Sequence, residues 1–324
     1  MNADTLTLLL EKEGSNRQGM RLGKCNVKGP VHEADHCSIY FAECSELPGP
    51  AAIKLCRSGP QRTLDPTGAA QQYEALTRLE QAWARNDSLQ CVRPYALFEE
   101  EALLVLEWVP GRSLGEILLG LKTSTVKAHQ LAEQAGQWLS AFHRLGHQPA
   151  QAMDVEKKQA VVESMYDWPG AQDASFEQAV DSLVAALPAA ADSKVEYSWI
   201  HGDFKLDNLL FDEERLTGID IHLRHTNAVV YDMAPFLNHM EMSCLDPRNP
   251  WRFTDRDDLS AHFLAGYSRE GQCPPAVALA WCRMFHLLCS WNSMLEQATG
   301  TLRRTLLHWA FSSTAARLRR QLEA

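Results

Sequence analysis

Several features are scarce or missing in this sequence of 324 residues, and each absence excludes a class of protein. Basic residues are outnumbered, because 31 lysines and arginines stand against 41 aspartates and glutamates, which gives a formal net charge of −10. A protein with a negative net charge repels a phosphate backbone, so we expect no nucleic-acid partner. Apolar runs are short, since Leu8–Leu10 ends at Glu11 and the alanine-rich stretch after Leu183 is broken by Pro188. None approaches the ~20 residues that span a bilayer, so we expect no membrane partner either.

Paired cysteines and a secretory leader are also missing. The nine cysteines are scattered from Cys25 to Cys289 without a C-x-x-C pair. This odd, dispersed set fits neither a disulfide framework nor a zinc ribbon. A secretory signal has a basic segment followed by an apolar one, and the start of this chain does not show that order. The expected location is therefore a reducing cytoplasm.

The composition that is present is that of an ordinary folded protein, with 45% hydrophobic and 22% charged residues. Its length suits one large domain or two lobes around a cleft. Up to residue 109 the pattern predicts strands around a single helix; beyond residue 110 it predicts mainly helices, with strands only at 197–200 and 208–221. The predicted early elements are strands 36–44, 51–56, 91–98 and 102–109 and helix 68–85; the later helices are 113–120, 125–145, 154–166, 174–187, 232–242, 256–269, 275–297 and 301–322. The sequence thus predicts an α+β protein with a small antiparallel sheet lobe over 1–109 and a larger helical lobe over 110–324.

The most informative segment is IHGDFKLDNLLF at 200–211, which is followed by GIDI at 218–221. Transfer of a phosphoryl group needs a carboxylate to orient and deprotonate the attacking hydroxyl, ligands for Mg²⁺, and positive charge near the γ-phosphate. Asp203 and Asn208 have the spacing of the catalytic loop H-R-D-x-x-x-x-N, and Asp220 follows where a second metal-binding carboxylate belongs. An isolated HGD or D-x-x-x-x-N is usually a solvated turn. Here the three residues occur together between apolar strands, which favours the catalytic interpretation.

The segment HGDFKLDN resembles the catalytic motif of the aminoglycoside phosphotransferase and choline kinase-like family, which has a protein-kinase-like fold. The whole chain can be laid along that family. The resemblance implies that Asp203 is the catalytic base, that Asn208 and Asp220 hold Mg²⁺, and that His201 braces the loop. Lys205 stands two residues after the base, where a lysine contacts the transferring phosphate in Ser/Thr protein kinases, so we expect it to stabilise transition-state charge.

The first lobe offers an independent indication. A kinase holds the nucleotide phosphates with a strand lysine that is paired with a helix glutamate. Lys54 lies in AAIK, close to the V-A-I-K pattern, and Glu74 lies on the predicted helix twenty residues later. Taken alone, Lys54 is better explained as an edge-strand lysine with its charge in water. The downstream loop favours the nucleotide-binding interpretation for both residues.

Three further nucleotide contacts are predicted. No G-x-G-x-x-G precedes the second strand, so phosphate contacts in the glycine-free loop 33–38 are expected from backbone N–H groups and from Ser38. Glu107 and Val109 lie before Pro110-Gly111, where a hinge would present backbone groups to an adenine ring. A buried strand that merely ends in a Pro-Gly turn has the same pattern.

Two segments after the motif also bear on the site. Asp220 is followed by Ile221 and His222 where protein kinases have D-F-G, and the missing glycine argues against a mobile metal loop. Asp232 in YDMAPFL resembles the family's D-L-A element, whose carboxylate supports the catalytic loop. A plain helix N-cap explains Asp232 as well, and both roles can coexist.

The acceptor is expected to be a small molecule. Only 12 positions separate Asp220 from Asp232, too few for the activation loop with which protein kinases dock peptides, and no A-P-E follows. The acidic residues of the later helices could line a site for an amino sugar or amino alcohol; they are Glu241, Asp246, Asp255, Asp257 and Asp258. Those from 255 to 258 are better explained by a helix start, where acidic residues favour the helix dipole whatever their function. The sequence therefore predicts a Mg²⁺-dependent kinase that uses ATP or GTP on a small hydroxyl acceptor, and the alternative is a catalytically silent relative that binds a nucleotide or a partner as a scaffold.

Overall fold

The computed structural model describes residues 1–12, 21–83, 90–119, 124–212, 215–223, 225–245, 256–297 and 301–323. It confirms the α+β class, with an antiparallel sheet in the first part of the chain and mainly helices later. The chain forms two compact units: Met1–Gly111 with Leu210–Arg224, and Arg112–Leu209 with His225–Ala324. The first unit thus includes a later segment that contains Asp220, which the sequence analysis assigned to the second lobe. Among the described residues, no helix is both long enough and apolar enough to cross a membrane.

The first unit is built on a sheet of the order β1-β2-β3-β7-β6 with antiparallel neighbours. Its elements are α1 (Ala3–Lys12), β1 (Cys25–Glu33), β2 (Cys37–Cys44), β3 (Ala51–Ser58), β4 (Thr63–Leu64), α2 (Pro66–Trp83), β5 (Gln90–Cys91), β6 (Pro94–Phe98) and β7 (Leu103–Glu107). Ile53 and Leu55 of β3 belong to one buried cluster with Leu6 and Leu10 of α1. Because side chains alternate along a strand, Lys54 points to the opposite face of the sheet.

The second unit holds most of the helices. Its elements are β8 (Arg112–Ser113), α3 (Leu114–Leu119), α4 (Thr125–Arg144), β9 (Gln148–Ala152), α5 (Glu156–Ser164), α6 (Ala174–Asp192), β10 (Lys194–Trp199), β13 (Thr226–Ala228), α7 (Val230–Cys244), α8 (Arg256–Tyr267), α9 (Ala276–Gln297) and α10 (Thr301–Leu322). The strands β11 (Leu209–Asp212) and β12 (Arg215–Gly218) come between β10 and β13 in the chain and, from Leu210 on, belong to the first unit. Helices α4 and α8 cross closely at two glycines. A Cβ on Gly136 would lie 2.0 Å from the Phe263 carbonyl oxygen, and a Cβ on Gly266 would lie 2.0 Å from that of Glu133. Only residues without a side chain permit this crossing.

The structure differs from the sequence prediction at several elements. The sequence pattern does not predict α1, β1, β9 and β13, of which β9 is exposed throughout and so lacks an alternating pattern. The predicted helix 174–187 ends before Pro188, yet α6 continues to Asp192, since this exposed proline lies in the final turns. Cys25 and Cys44 form a disulfide, contrary to the expectation of reduced cysteines. They are register partners on β1 and β2, and one bridge within a hairpin is not revealed by an odd total of cysteines.

Candidate active site

A buried ion pair marks the first unit. Nζ of Lys54 on β3 contacts Oδ1 of Asp220, and the two side chains are 8% and 21% exposed. Two further groups meet the same carboxylate oxygen: Gln72 Nε2 of α2 donates to it at 3.0 Å, and His222 Nε2 lies 3.1 Å away. Asp220 itself adopts a φ of 59°, a left-handed conformation that non-glycine residues rarely take. The local structure therefore holds this carboxylate in one place.

The surroundings of this pair keep both groups charged. Burial alone would raise the pKa of Asp220, but hydrogen bonds from His222 and Lys54, with the charge of Lys54, lower it well below the ordinary value. Burial likewise opposes the charged form of Lys54, and the nearby Asp220 outweighs it, so that the Lys54 pKa is raised. Asp220 is therefore a carboxylate, a hard oxygen donor of the kind that Mg²⁺ binds.

The predicted pairing of Lys54 with Glu74 is wrong. The Glu74 side chain is 64% exposed and forms an ion pair with Arg78 at 2.6 Å on the surface of α2. The buried residue of this helix that reaches the Lys54–Asp220 pair is Gln72. Residues two apart lie about 200° apart around a helix, so Glu74 faces away when Gln72 faces inward. The sequence located the helix but not its rotation.

The structure also contradicts the predicted role of Ser38. Ser38 is the register partner of Leu55, so it lies on the sheet face opposite Lys54. Its side chain is fully buried, and its Oγ accepts a hydrogen bond of 2.7 Å from Arg57. The neighbouring loop is tied by another arginine, since Arg62 Nη2 donates to the Ala34 carbonyl at 2.6 Å. Ser38 is a support for this hairpin and not a contact for phosphate.

The predicted hinge follows β7. Glu107 ends the strand, and its N–H donates to the Arg93 carbonyl at 2.8 Å. The next residue, Trp108, donates its N–H to Pro50 at 3.0 Å. Val109 lies beyond the strand and is half-buried. The roles of Glu107 and Val109 toward an adenine ring stay predictions.

In the second unit, the catalytic motif folds back on itself as its spacing indicates. Asn208 Nδ2 donates to the backbone carbonyl of Asp203 at 2.8 Å and to its carboxylate at 3.1 Å. Lys205 Nζ lies 2.6 Å from the same carboxylate, and the Asp203 and Lys205 side chains are 52% and 40% exposed. In the same loop, Phe204 and Leu206 are fully buried and anchor it to the core. The polar side chains are thus left facing outward from an apolar base.

Asp232 supports this loop from the start of α7. Its buried carboxylate accepts the backbone N–H groups of His201 at 2.6 Å and Gly202 at 2.9 Å, and His143 Nε2 lies 3.1 Å away. Burial would raise the pKa of Asp232, but the hydrogen bond and charge of His143 lower it. Gly202 has a φ of 80°, a left-handed conformation at the turn into Asp203. The carboxylate thereby holds the backbone immediately before Asp203.

Two members of this support, His143 and Tyr267, were not among the site residues that the sequence predicts. His143 Nδ1 lies 2.9 Å from the Tyr267 hydroxyl, so that a buried chain of contacts runs from Tyr267 through His143 to Asp232. Burial raises the pKa of Tyr267, which keeps this hydroxyl protonated. Asp232 lies 89 positions from His143 and Tyr267 lies 124 positions from it, so no local sequence pattern links these residues.

A cavity of about 910 Å³ opens beside the catalytic loop within the second unit. Asp203 and Lys205 lie among its lining residues, together with side chains of α7, α9 and α10. The expected acidic lining is not borne out for Glu241, which is buried and bound to Arg283 and Arg317. Asp258 is exposed on α8 and does not line the cavity. Asp246, Asp255 and the side chain of Asp257 lie outside the described residues.

Metal-binding capacity rests on the oxygen donors of the motif. Among the residues that the structure describes, no group of three or more histidines, cysteines, aspartates and glutamates is arranged to hold a metal ion. Asn208 turns its amide nitrogen to Asp203, which leaves the amide oxygen for a cation. An amide oxygen here and the ionised carboxylate of Asp220 are donors of the type that suits Mg²⁺.

Comparison with known sequences identifies one family. A family model described as "Phosphotransferase enzyme family" matches residues 51–280, more than half of the chain. No curated protein sequence matches the chain.

Solved structures of similar fold extend over nearly the whole chain. An amicoumacin kinase in complex with AMP-PNP, Ca²⁺ and Ami is 13% identical with a TM-score of 0.57, over 96% of this chain and 93% of that one. The choline kinase LicA from Streptococcus pneumoniae is 14% identical with a TM-score of 0.53, over 97% and 99%. The ADP-bound aminoglycoside phosphotransferase APH(2'')-Ib is 12% identical with a TM-score of 0.51, over 99% of both chains. At these identities the likeness establishes the fold.

Proposed function

The chain belongs to the phosphotransferase enzyme family, and from this premise we propose that it transfers the γ-phosphate of ATP, or of GTP, to a hydroxyl group of a small molecule with the help of Mg²⁺. The observation that carries the proposal is the position of Asp203. Its half-exposed carboxylate lies at the wall of a cavity of about 910 Å³, next to Lys205, on a loop fixed by Asn208 and Asp232. An acceptor in this cavity can present its hydroxyl to that carboxylate.

The residues of the loop divide the chemistry among them. Asp203 orients the acceptor hydroxyl and takes its proton late in the transfer, as a general base positioned at the attacking oxygen. Lys205 holds the carboxylate in place in the free enzyme and supplies positive charge toward the phosphoryl group during transfer. No covalent enzyme intermediate is needed. Asn208 and Asp232 keep the loop in the reactive conformation.

Nucleotide binding is assigned to the first unit. The Lys54 ammonium, held by Asp220, which in turn accepts a hydrogen bond from Gln72, would contact the nucleotide phosphates, and the backbone at Glu107 and Val109 would contact the adenine ring. Mg²⁺ would be held by Asn208 and Asp220, and it supplies neutralisation of the phosphate charge when bound. Proteins of similar fold support this assignment, since the amicoumacin kinase is in complex with AMP-PNP and Ca²⁺ and the aminoglycoside phosphotransferase APH(2'')-Ib is bound to ADP.

The test is ATP consumption with Mg²⁺ against a panel of amino sugars, neutral sugars, amino alcohols and hydroxy acids. We expect acceptor-dependent turnover that Asp203→Asn abolishes and that Asp212→Asn, the same change at an exposed aspartate outside the loop, leaves intact. Activity that survives Asp203→Asn would remove Asp203 from its role.

A second measurement separates a kinase from a silent scaffold. Binding of ATP raises the melting temperature by an amount that grows with the ratio of ligand concentration to Kd. An active kinase is expected to show a much larger shift with Mg²⁺ than without it. Equal shifts, combined with no turnover on any acceptor, would favour the scaffold.

A further inference from the structure

We infer that the acceptor of this enzyme is an electrically neutral hydroxyl compound with a large apolar body, and not a cationic amino sugar or amino alcohol. The inference rests on the proposed function, because it takes the cavity beside Asp203 as the acceptor site. It deepens that function by naming the class of molecule that the cavity suits. The chemistry of the described lining residues and the charges close to them favour this class.

The wall away from the catalytic loop is largely apolar. Met242 of α7, Leu287 of α9, and Leu306, Leu307 and Phe311 of α10 all line the cavity. A highly polar acceptor would lose its hydration against these side chains without regaining hydrogen bonds. An acceptor with an apolar body gains free energy from the same contact. The three helices therefore favour an apolar body bound at a distance from the reactive hydroxyl.

The described lining offers no spare carboxylate for a cation. Asp203 is the acidic side chain among these residues, and it is already engaged by Lys205 at 2.6 Å. Glu241, on the same helix as six of the lining residues, is buried against Arg283 and Arg317 and turns its charge away from any ligand. A cationic acceptor would find no counter-charge within this part of the wall.

Positive and neutral groups surround the cavity instead. Lys158 places its ammonium 5.4 Å from the ring centre of Tyr231, which lines the cavity. His286 also lines it and has a buried Nε2 without a hydrogen-bond partner among the described residues. Burial and the charge of Lys158 lower the pKa of His286, so its ring is neutral at neutral pH. The charge of Lys158 disfavours a cationic ligand and the carboxylate of Asp203 disfavours an anionic one, so a neutral ligand is the class that meets no repulsion here.

The polar groups near Asp203 suit a hydroxyl. His239 lines the cavity close to the catalytic loop, and burial lowers its pKa and keeps its ring uncharged. A neutral imidazole both donates and accepts hydrogen bonds, as a hydroxyl does. The cavity therefore combines a hydroxyl-binding end at the catalytic loop with an apolar end at α10.

The test is a set of four compounds in which charge and apolar tail vary separately. Octyl β-D-glucoside is neutral with a tail, methyl β-D-glucoside is neutral without one, N-octylglucosamine is cationic with a tail, and glucosamine is cationic without one. Binding to the full chain is measured by calorimetry without nucleotide or metal, below the micelle-forming concentration. We expect octyl glucoside to bind at least about tenfold more tightly than each of the other three.

A substitution that introduces a charge into the apolar wall of the cavity tests whether octyl glucoside binds there. Leu307→Glu is expected to weaken octyl glucoside by about tenfold and to make N-octylglucosamine the better ligand. Leu8→Glu, the same change at an exposed leucine of α1, is the control and is expected to change neither. Preference of the unmodified chain for either cationic compound, or octyl glucoside binding that ignores Leu307→Glu, would overturn the inference. Because no turnover is involved, the expected pattern supports this ligand class even if the kinase assays fail, so the two failures are distinguishable.

Discussion

The two units each contain an aspartate–lysine pair, and the pairs differ in burial. Lys54 and Asp220 in the first unit are 8% and 21% exposed, and Gln72 and His222 also contact the carboxylate. Asp203 and Lys205 in the second unit are 40% exposed or more, two residues apart on one loop. Breaking a buried pair leaves an uncompensated charge, whereas an exposed pair contributes little to stability. The same two functional groups therefore build a buried, fixed pair in one unit, to which we assign nucleotide binding, and a solvent-facing pair in the other, to which we assign the reaction.

The largest effect on stability is expected when each of the two lysines is replaced by methionine in a separate variant. Lys54→Met leaves the Asp220 carboxylate buried without its cation, so we expect the free energy of unfolding to fall by about 3–5 kcal/mol. Lys205→Met removes an exposed partner and is expected to change it by at most about 1 kcal/mol, while phosphate transfer is still lost. Urea denaturation measures both. Equal losses of stability in the two variants would break the distinction between the pairs.

A titration in the second unit is expected to have the next largest effect. The pKa of His286 is lowered to about 4 from 6.5, mainly by burial. Between these values the unfolded chain binds the proton more readily, so the free energy of unfolding falls as the pH is lowered from about 6.5 to about 4. Above 6.5 this group has no effect, and the full loss is up to about 3 kcal/mol. Denaturation across this pH range should show a smaller decrease in His286→Gln and an unchanged one in His147→Gln, a half-exposed histidine.

A smaller effect is expected from the buried support of the reactive loop. Tyr267→Phe removes the hydroxyl next to His143 and should lower kcat about fivefold, the equivalent of about 1 kcal/mol, because Asp232 is then held less firmly. The KM for ATP should stay the same, since nucleotide binding is assigned to the other unit. Tyr166→Phe removes a hydroxyl bonded to the exposed Asp181 and is the matched control. A change in KM with kcat intact would contradict this role.

The smallest effect concerns the helix of the first unit. Glu74→Gln should leave both the KM for ATP and the stability unchanged, because Glu74 forms its ion pair with Arg78 on the surface of α2. Gln72→Leu, on the inner face, should raise the KM for ATP a fewfold by removing a hydrogen bond to Asp220. If Glu74→Gln proves the more damaging change, then Glu74 pairs with Lys54 in the working enzyme.

The sequence was most informative where the interacting residues are close along the chain. Asp203, Lys205 and Asn208 lie within six positions, and their hydrogen bonds follow from that spacing. The α+β class followed from strand and helix patterns in the same way. The local pattern also correctly predicted Lys54 on a strand and Asp232 at the start of a helix.

The errors came from properties that only packing decides. Glu74 and Gln72 are both polar residues of one helix, and the rotation of the helix against the sheet selects Gln72. The predicted role of Ser38 is wrong because the strand register places this residue on the sheet face opposite Lys54. Glu241 has its arginine partners 42 and 76 positions away, so its acidity alone suggested an open binding site. Each of these depends on neighbours that the local pattern does not contain.

The central claim is that Asp203 works as the base without holding the fold together. The direct test is to measure acceptor-dependent transfer of the γ-phosphate and the free energy of unfolding on the same preparation of Asp203→Asn. The account predicts that transfer falls by about 10²–10⁴-fold while the free energy of unfolding stays within about 1 kcal/mol of the unmodified chain. Transfer that continues at the original rate in a folded Asp203→Asn protein would contradict it.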